Sequence, residues 1–221
     1  MAIEADKRLS PNGTPTSETQ FFDLLSRSGS LDPYALPDDL YILAAMNQAD
    51  ASVEPLDVAF LRRWEPYVLD PSSEVLRIQF GINGSNAVSG DLPEMPTNAK
   101  QIFEASVRAW EKVNRQISLG RGPEFQIGHG VLMSGTSDSM TKDAALQVSA
   151  NNWAKVRAHV QEVFFGDLRG IAATLNAIDG PAFHPLRLVE TSFADDIRYE
   201  LTGPSHIGPD KVYNALRAIG Q

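Results

Sequence analysis

Between residues 98 and 120 the apolar side chains Ile102, Phe103, Val107, Trp110, Val113 and Ile117 recur at the spacing of one helix face, opened by Thr97-Asn98 and closed at Gly120. No other feature constrains the fold so tightly, because a helix with one apolar face must be covered by other elements. Two later segments are predicted to supply that cover. A second stripe, Trp153, Val156, Val160, Val163 and Phe164, comes after the capping residues Asn151 and Asn152 and stops at Gly166. Asp167 caps a third helix carrying Leu168, Ile171, Ala172 and Leu175, so residues 98–180 read as a helical domain. Trp110 and Trp153 belong to its core. The tail 181–221 predicts two strands, Leu186 to Phe193 and Ile197 to Leu201, and a last helix from Pro209 to Ile219.

The first 97 residues have a different character. Up to about residue 30 the chain is polar and broken by Pro11-Asn12-Gly13-Thr14-Pro15, which predicts an exposed loop. Leu40-Tyr41-Ile42-Leu43-Ala44-Ala45-Met46 is a continuous apolar run bounded by turn residues, the pattern of a strand buried on both faces of a parallel sheet. The polar Asn47-Gln48-Ala49-Asp50 then falls at the carboxyl end of that strand, where open α/β sheets mount their chemistry. Leu56, Phe60, Leu61 and Trp64 predict a short helix from Val53 to Trp64 ending in Arg62 and Arg63, and Tyr67 to Leu69 a brief strand. Residues 72–97 read as a linker or insertion, with strand-like alternation from Glu74 to Ile82 and a Gly-, Ser- and Asn-rich stretch after it. No internal repeat or coiled-coil heptad is present.

Composition narrows the chemistry. The 221 residues carry a formal charge of −9 without any long run of Lys or Arg, which argues against direct nucleic-acid binding. With no cysteine, disulfides, zinc ribbons and thiol nucleophiles are excluded. His159, His184 and His206 lack metal-ligand spacing, so no metal site is predicted. There is no Gly-x-Ser-x-Gly elbow and no convincing carboxylate pair, which disfavours an unrelated hydrolase. No apolar stretch approaches a membrane span and the first ten residues do not resemble a signal peptide, so the expected location is cytoplasmic.

The segment from Leu40 to Asp50, followed by Leu56-Asp57-Val58-Ala59-Phe60-Leu61-Arg62-Arg63-Trp64, resembles the McrB-type AAA+ NTPases, in which a strand ends in Met-Asn-x-Ala-Asp and a helix ends in a multiple-arginine-aromatic motif. Ile3-Glu4-Ala5-Asp6-Lys7-Arg8 is similar to the helix end after that family's Walker B strand. Glu124-Phe125-Gln126-Ile127-Gly128-His129 resembles its Phe-x-Ile-Gly-His lid segment, and Trp153 and Phe164-Phe165-Gly166-Asp167 its closing lid helices. The resemblance implies an α/β fold: the C-terminal part of an AAA+ core with parallel strands over 1–71, the insertion at 72–97, the helical lid at 98–180 and a β/α tail at 181–221. It implies Asn47 as sensor 1, Arg63 and then Arg62 as a trans-acting arginine finger, and His129 in a sensor-2-like position near the nucleotide. Asp50 and Asp57 would orient neighbouring groups. ATP or GTP with Mg²⁺ would be the nucleotide. Such residues suit phosphoryl transfer, which is accelerated by positioning water and neutralising charge on the transferring phosphate. Plainer roles stay open: Asn47 as a turn residue, the arginines as cations at a helix C-terminus, His129 as a turn histidine between glycines.

The departures from that family matter. The sequence holds no Gly-x-x-x-x-Gly-Lys-Ser/Thr loop and no apolar strand ending in paired acids. Leu61 stands where a third arginine is common, Trp64 in place of Phe, and Gly130 where Ser follows the histidine. The expectation is a fragment, inactive without a Walker-containing half or neighbouring subunits, that couples hydrolysis to a nuclease or similar restriction and defence effector. The alternative is a non-catalytic interaction module built on an AAA+ remnant.

Overall fold

The computed structural model describes residues 3–46 and 62–221. Two compact units divide the chain, one up to Val68 and one from Leu69 to Gln221. The molecule mixes helices with two small antiparallel sheets, each of two strands.

In the first unit a 3₁₀ turn at Ala5–Lys7 precedes the hairpin β1 (Phe22–Leu25) and β2 (Leu31–Tyr34), in register from Phe22 opposite Tyr34 to Leu25 opposite Leu31. Its turn is closed by Ser26 and Ser30, with Gly29 at φ 82°. The hairpin lies partly in the stretch expected to be loop. Its strands are short and exposed, so no alternation of buried and solvated positions announces them. The rest of the unit is tied by polar links. Arg8 donates to the carbonyls of Ile3 and Leu40, the latter at 2.6 Å, and the Lys7 ammonium meets Glu18 at 2.7 Å.

Leu40 to Met46 forms no strand here, and Tyr67 to Leu69 forms none either. Tyr41 is 95% and Leu43 101% exposed. A run apolar on both faces becomes a strand only between neighbours, and the described residues of this unit offer one hairpin that is already paired with itself. The predicted helix from Val53 falls, up to residue 61, outside the described residues.

The second unit is built on α2 (Ala99–Gly120), whose predicted stripe from Ile102 to Ile117 is buried throughout. Asn98 caps it, accepting from the Gln101 N–H at 3.1 Å. Against it pack α3 (Lys142–Val163) and α5 (Pro209–Ile219), which also pack against each other. Before α2 comes α1 (Ser73–Gln79), where alternation had suggested a strand. The helix wins because Ser72 caps it and because Leu76 and Phe80, four residues apart, both reach the core. Phe80 stacks on Phe103 with ring centroids 4.3 Å apart. Of residues 72–97, Leu76, Phe80 and Ile82 thus contribute to the core.

α3 begins at Lys142, capped by Thr141, well before the predicted start at Asn151–Asn152. Its first turns bury small residues, Ala145, Ser149 and Ala150, which carry little hydrophobic signal, and Asn152 is buried inside the helix. Gly166, at φ 79°, turns the chain after α3. Asp167 then caps α4 (Leu168–Thr174), and β3 (Arg187–Phe193) pairs antiparallel with β4 (Asp196–Thr202). Leu188 and Leu201 anchor the base of this hairpin on the core, while Phe193 and Ile197 at its tip are exposed.

Candidate functional site

Of the residues singled out by the sequence, Asn47 and Asp50 lie outside the described residues, as does Asp57. Arg62 and Arg63 belong to the first unit and are exposed. Arg63 donates through Nε to the Glu4 carboxylate, and this guanidinium holds the Glu4 carboxyl below its usual range.

His129 belongs to the second unit, at the start of a 3₁₀ turn, His129–Leu132. Its Nδ1 accepts from the backbone N–H of Ser72 at 3.3 Å, which leaves the ring proton of a neutral imidazole on Nε2. The imidazole thus meets the residue that caps α1, so it has a structural role beside any role toward a ligand.

The segment leading into His129 is fastened to the helices at several points. The Asn114 side chain reads both polar groups of Ile127: its Nδ2 donates to the carbonyl at 2.9 Å, and its Oδ1 accepts from the N–H at 2.7 Å. Trp110 Nε1 donates to the same carbonyl at 3.1 Å. His159 Nε2 lies 3.0 Å from the Phe125 carbonyl, and Asn152 Nδ2 donates to the Leu132 carbonyl at 3.2 Å. Buried backbone groups in an irregular segment need such partners, since no ladder satisfies them. The sequence reading places Trp110 in the core, takes Asn152 as a helix cap, leaves His159 without a role and passes over Asn114. The available signals were Asn114, a polar residue directly beside Val113 in the apolar stripe, and Asn152 beside Trp153.

Next to this segment an open cleft of about 360 Å³ is lined by Trp110, Glu111, Asn114, Arg115, Ser118 and Gln126, among others. Glu111 is already engaged by Arg77, at 3.1 Å. Arg77 also grips the buried Glu104 through two nitrogens, at 3.1 and 3.2 Å, and Arg108 meets Glu104 at 2.8 Å. Burial alone would lower the proton affinity of Arg77, but the two carboxylates outweigh it and raise it. This charge network braces α1 against α2.

A triphosphate with Mg²⁺ asks for a run of backbone donors, a lysine and oxygen ligands on the metal. The described residues do not fit that demand by themselves. Among them no group of three or more His, Asp or Glu side chains could hold a metal ion, and the cleft brings one arginine, Arg115. No described helix is long and apolar enough to cross a membrane. No protein-family model matches the chain, and no curated protein matches it either.

Proposed function

We propose that this chain supplies the sensor, arginine finger and lid of a McrB-like AAA+ nucleoside triphosphatase that couples ATP or GTP hydrolysis to a DNA-restriction or defence effector. The observation that carries the reading is the apolar run Leu40–Met46, which stands directly before Asn47-Gln48-Ala49-Asp50 and is largely uncovered. The natural cover for such a run is a sheet. In this reading it becomes a parallel strand of an AAA+ α/β core once a Walker-containing half lies beside it, with Asn47 at its carboxyl end. Phosphate and metal binding belong to that half. Arg63, with Arg62 as second choice, reaches a neighbouring subunit's site, exchanging Glu4 for phosphate oxygens as its anionic partner. His129 and the helical unit serve as the lid.

The test is an ATPase and GTPase assay of the chain alone and mixed with a Walker-containing AAA+ half from the same gene neighbourhood, comparing wild type with Arg63→Ala. Activity is expected only in the mixture, with a loss of about a thousandfold on the substitution, the scale of a trans arginine. Absence of both activity and complex in every mixture would overturn the proposal. That outcome would leave a second reading, a non-catalytic docking module, which the exposed Leu25, Leu31 and Tyr34 of the first hairpin favour.

A further inference from the structure

The β3–β4 hairpin leaves the outer edge of β4 without a partner. Leu188, opposite Leu201, donates its N–H away from β4 to the Ala177 carbonyl at 2.9 Å, so Leu188–Leu201 is a pair whose backbone groups point outward. Outward and inward pairs alternate along an antiparallel ladder. The β4 groups facing away from β3 are therefore those of Ile197, Tyr199 and Leu201. Among the described residues no hydrogen bond reaches them, whereas β3 is covered at Leu188 by Ala177. α4 touches both strands and so lies across a face of the hairpin rather than along this edge, with the Arg169 guanidinium 5.1 Å from the centre of the Tyr199 ring. Beyond it, toward the tip, Ile197 is 71% exposed. An uncovered edge of this kind is a template for another strand.

We propose that β4 pairs antiparallel with β4 of a second copy of this chain, about a two-fold axis at Tyr199, giving one sheet in the order β3, β4, β4, β3. The charges on the strand select both partner and register. With the axis at Tyr199, Arg198 stands opposite the partner's Glu200, and Glu200 opposite the partner's Arg198. Opposite charges directly across a strand pair attract and like charges repel. Moving the axis to Arg198 sets arginine against arginine and Asp196 against the partner's Glu200, and moving it to Glu200 sets glutamate against glutamate. Moving it two residues runs the pairing into the turn at Ala194-Asp195 or past the end of β4 at Thr202. Glu200 is exposed and has no ion partner among the described residues, while Arg198 meets Asp196 of its own strand at 3.1 Å. The axis at Tyr199 also lets the outward groups of Ile197, Tyr199 and Leu201 bond their counterparts, and it lays the exposed Ile197 beside the partner's Leu201. The contact is isologous and closes at two copies. It is independent of the motor reading, since no residue of β4 belongs to that reading's site.

Sedimentation equilibrium of the full chain tests the pairing. The wild type should pass from monomer to dimer between about 10 µM and 1 mM, the weak association expected of so small an interface. Arg198→Glu and Glu200→Arg should each weaken it by at least about tenfold, because each sets like charges opposite one another on both sides of the axis. An equimolar mixture of the two variants should associate at least as well as the wild type, since every charge then meets its opposite. Damage to the fold by either substitution would not be reversed by mixing. Hydrogen exchange at the Tyr199 amide should also slow as the wild-type concentration rises. A chain that stays monomeric up to about 1 mM overturns the proposal. So does association indifferent to both substitutions, which places the contact on another surface, or a mixture no better than its components.

Discussion

The two units spend their apolar residues in opposite ways. From Leu69 onward, Phe103, Trp110, Ile117, Leu175, Leu216 and others disappear into one shared core. Among the described residues before Leu69, no hydrophobic side chain is buried, and Leu25, Leu31, Tyr41 and Leu43 face outward. The difference teaches where stability resides. Burial of large side chains provides most of the favourable free energy of folding, so the second unit has what it needs, whereas the first relies on hydrogen bonds such as those of Arg8. Such bonds contribute modestly once exchange with water is counted.

The contrast would be broken most sharply at Trp110. Trp110→Ala should cost about 3–5 kcal/mol by opening a cavity and removing one of the two donors to the Ile127 carbonyl, whereas Leu43→Ser should stay within about 0.5 kcal/mol. Urea unfolding of the two variants measures both, and equal losses would refute the contrast. A smaller effect is expected at Glu104, 3% exposed between Arg77 and Arg108. Glu104→Gln removes the charge both arginines share. Their partial exposure moderates the penalty to about 2–3 kcal/mol, read from the shift in urea midpoint.

The smallest effect concerns pH. Buried His184 donates from Nε2 to the Leu175 carbonyl at 2.8 Å and accepts at Nδ1 from the Leu186 N–H at 2.9 Å, so it is held neutral. Burial lowers its proton affinity below the ordinary 6.5, the Leu175 carbonyl partly opposes this, and the Arg187 charge adds to it. The unfolded chain therefore takes up this proton first as pH falls. His184 contributes stability that is present above 6.5 and lost as pH drops through its lower folded value. Urea midpoints between pH 8 and pH 5 should fall for the wild type and flatten in His184→Gln. An unchanged slope would remove His184 as the cause.

Legibility in the sequence followed the same division. The stripe of α2, the presence of strands β3 and β4 and the bounds of α5 could be read because apolar periodicity and turn residues agree there. α1 was misread since its two core residues, Leu76 and Phe80, stand with Ile78 and Ile82 on every second position, a pattern that also fits a strand. The start of α3 was hidden because alanines and serine pack there instead of large side chains. The apolar run before Asn47 has the pattern of a strand, but a strand exists only with a neighbour, and local sequence cannot supply one. For the candidate site, residue types pointed to His129 but not to what holds it in place. The amide of Asn114 acts on backbone atoms thirteen residues away, a contact set by tertiary packing.

The last helix, α5, is a structural keystone rather than an appendage. Val212, Tyr213, Leu216 and Ile219 fill the space against α2 and α3, and Gly220 comes so near Arg108 that a methyl group there would lie 3.0 Å from its Cβ. On the ribosome, then, α1 to α4 emerge with their common core still open on one side. They can close it only once residue 219 has emerged as well.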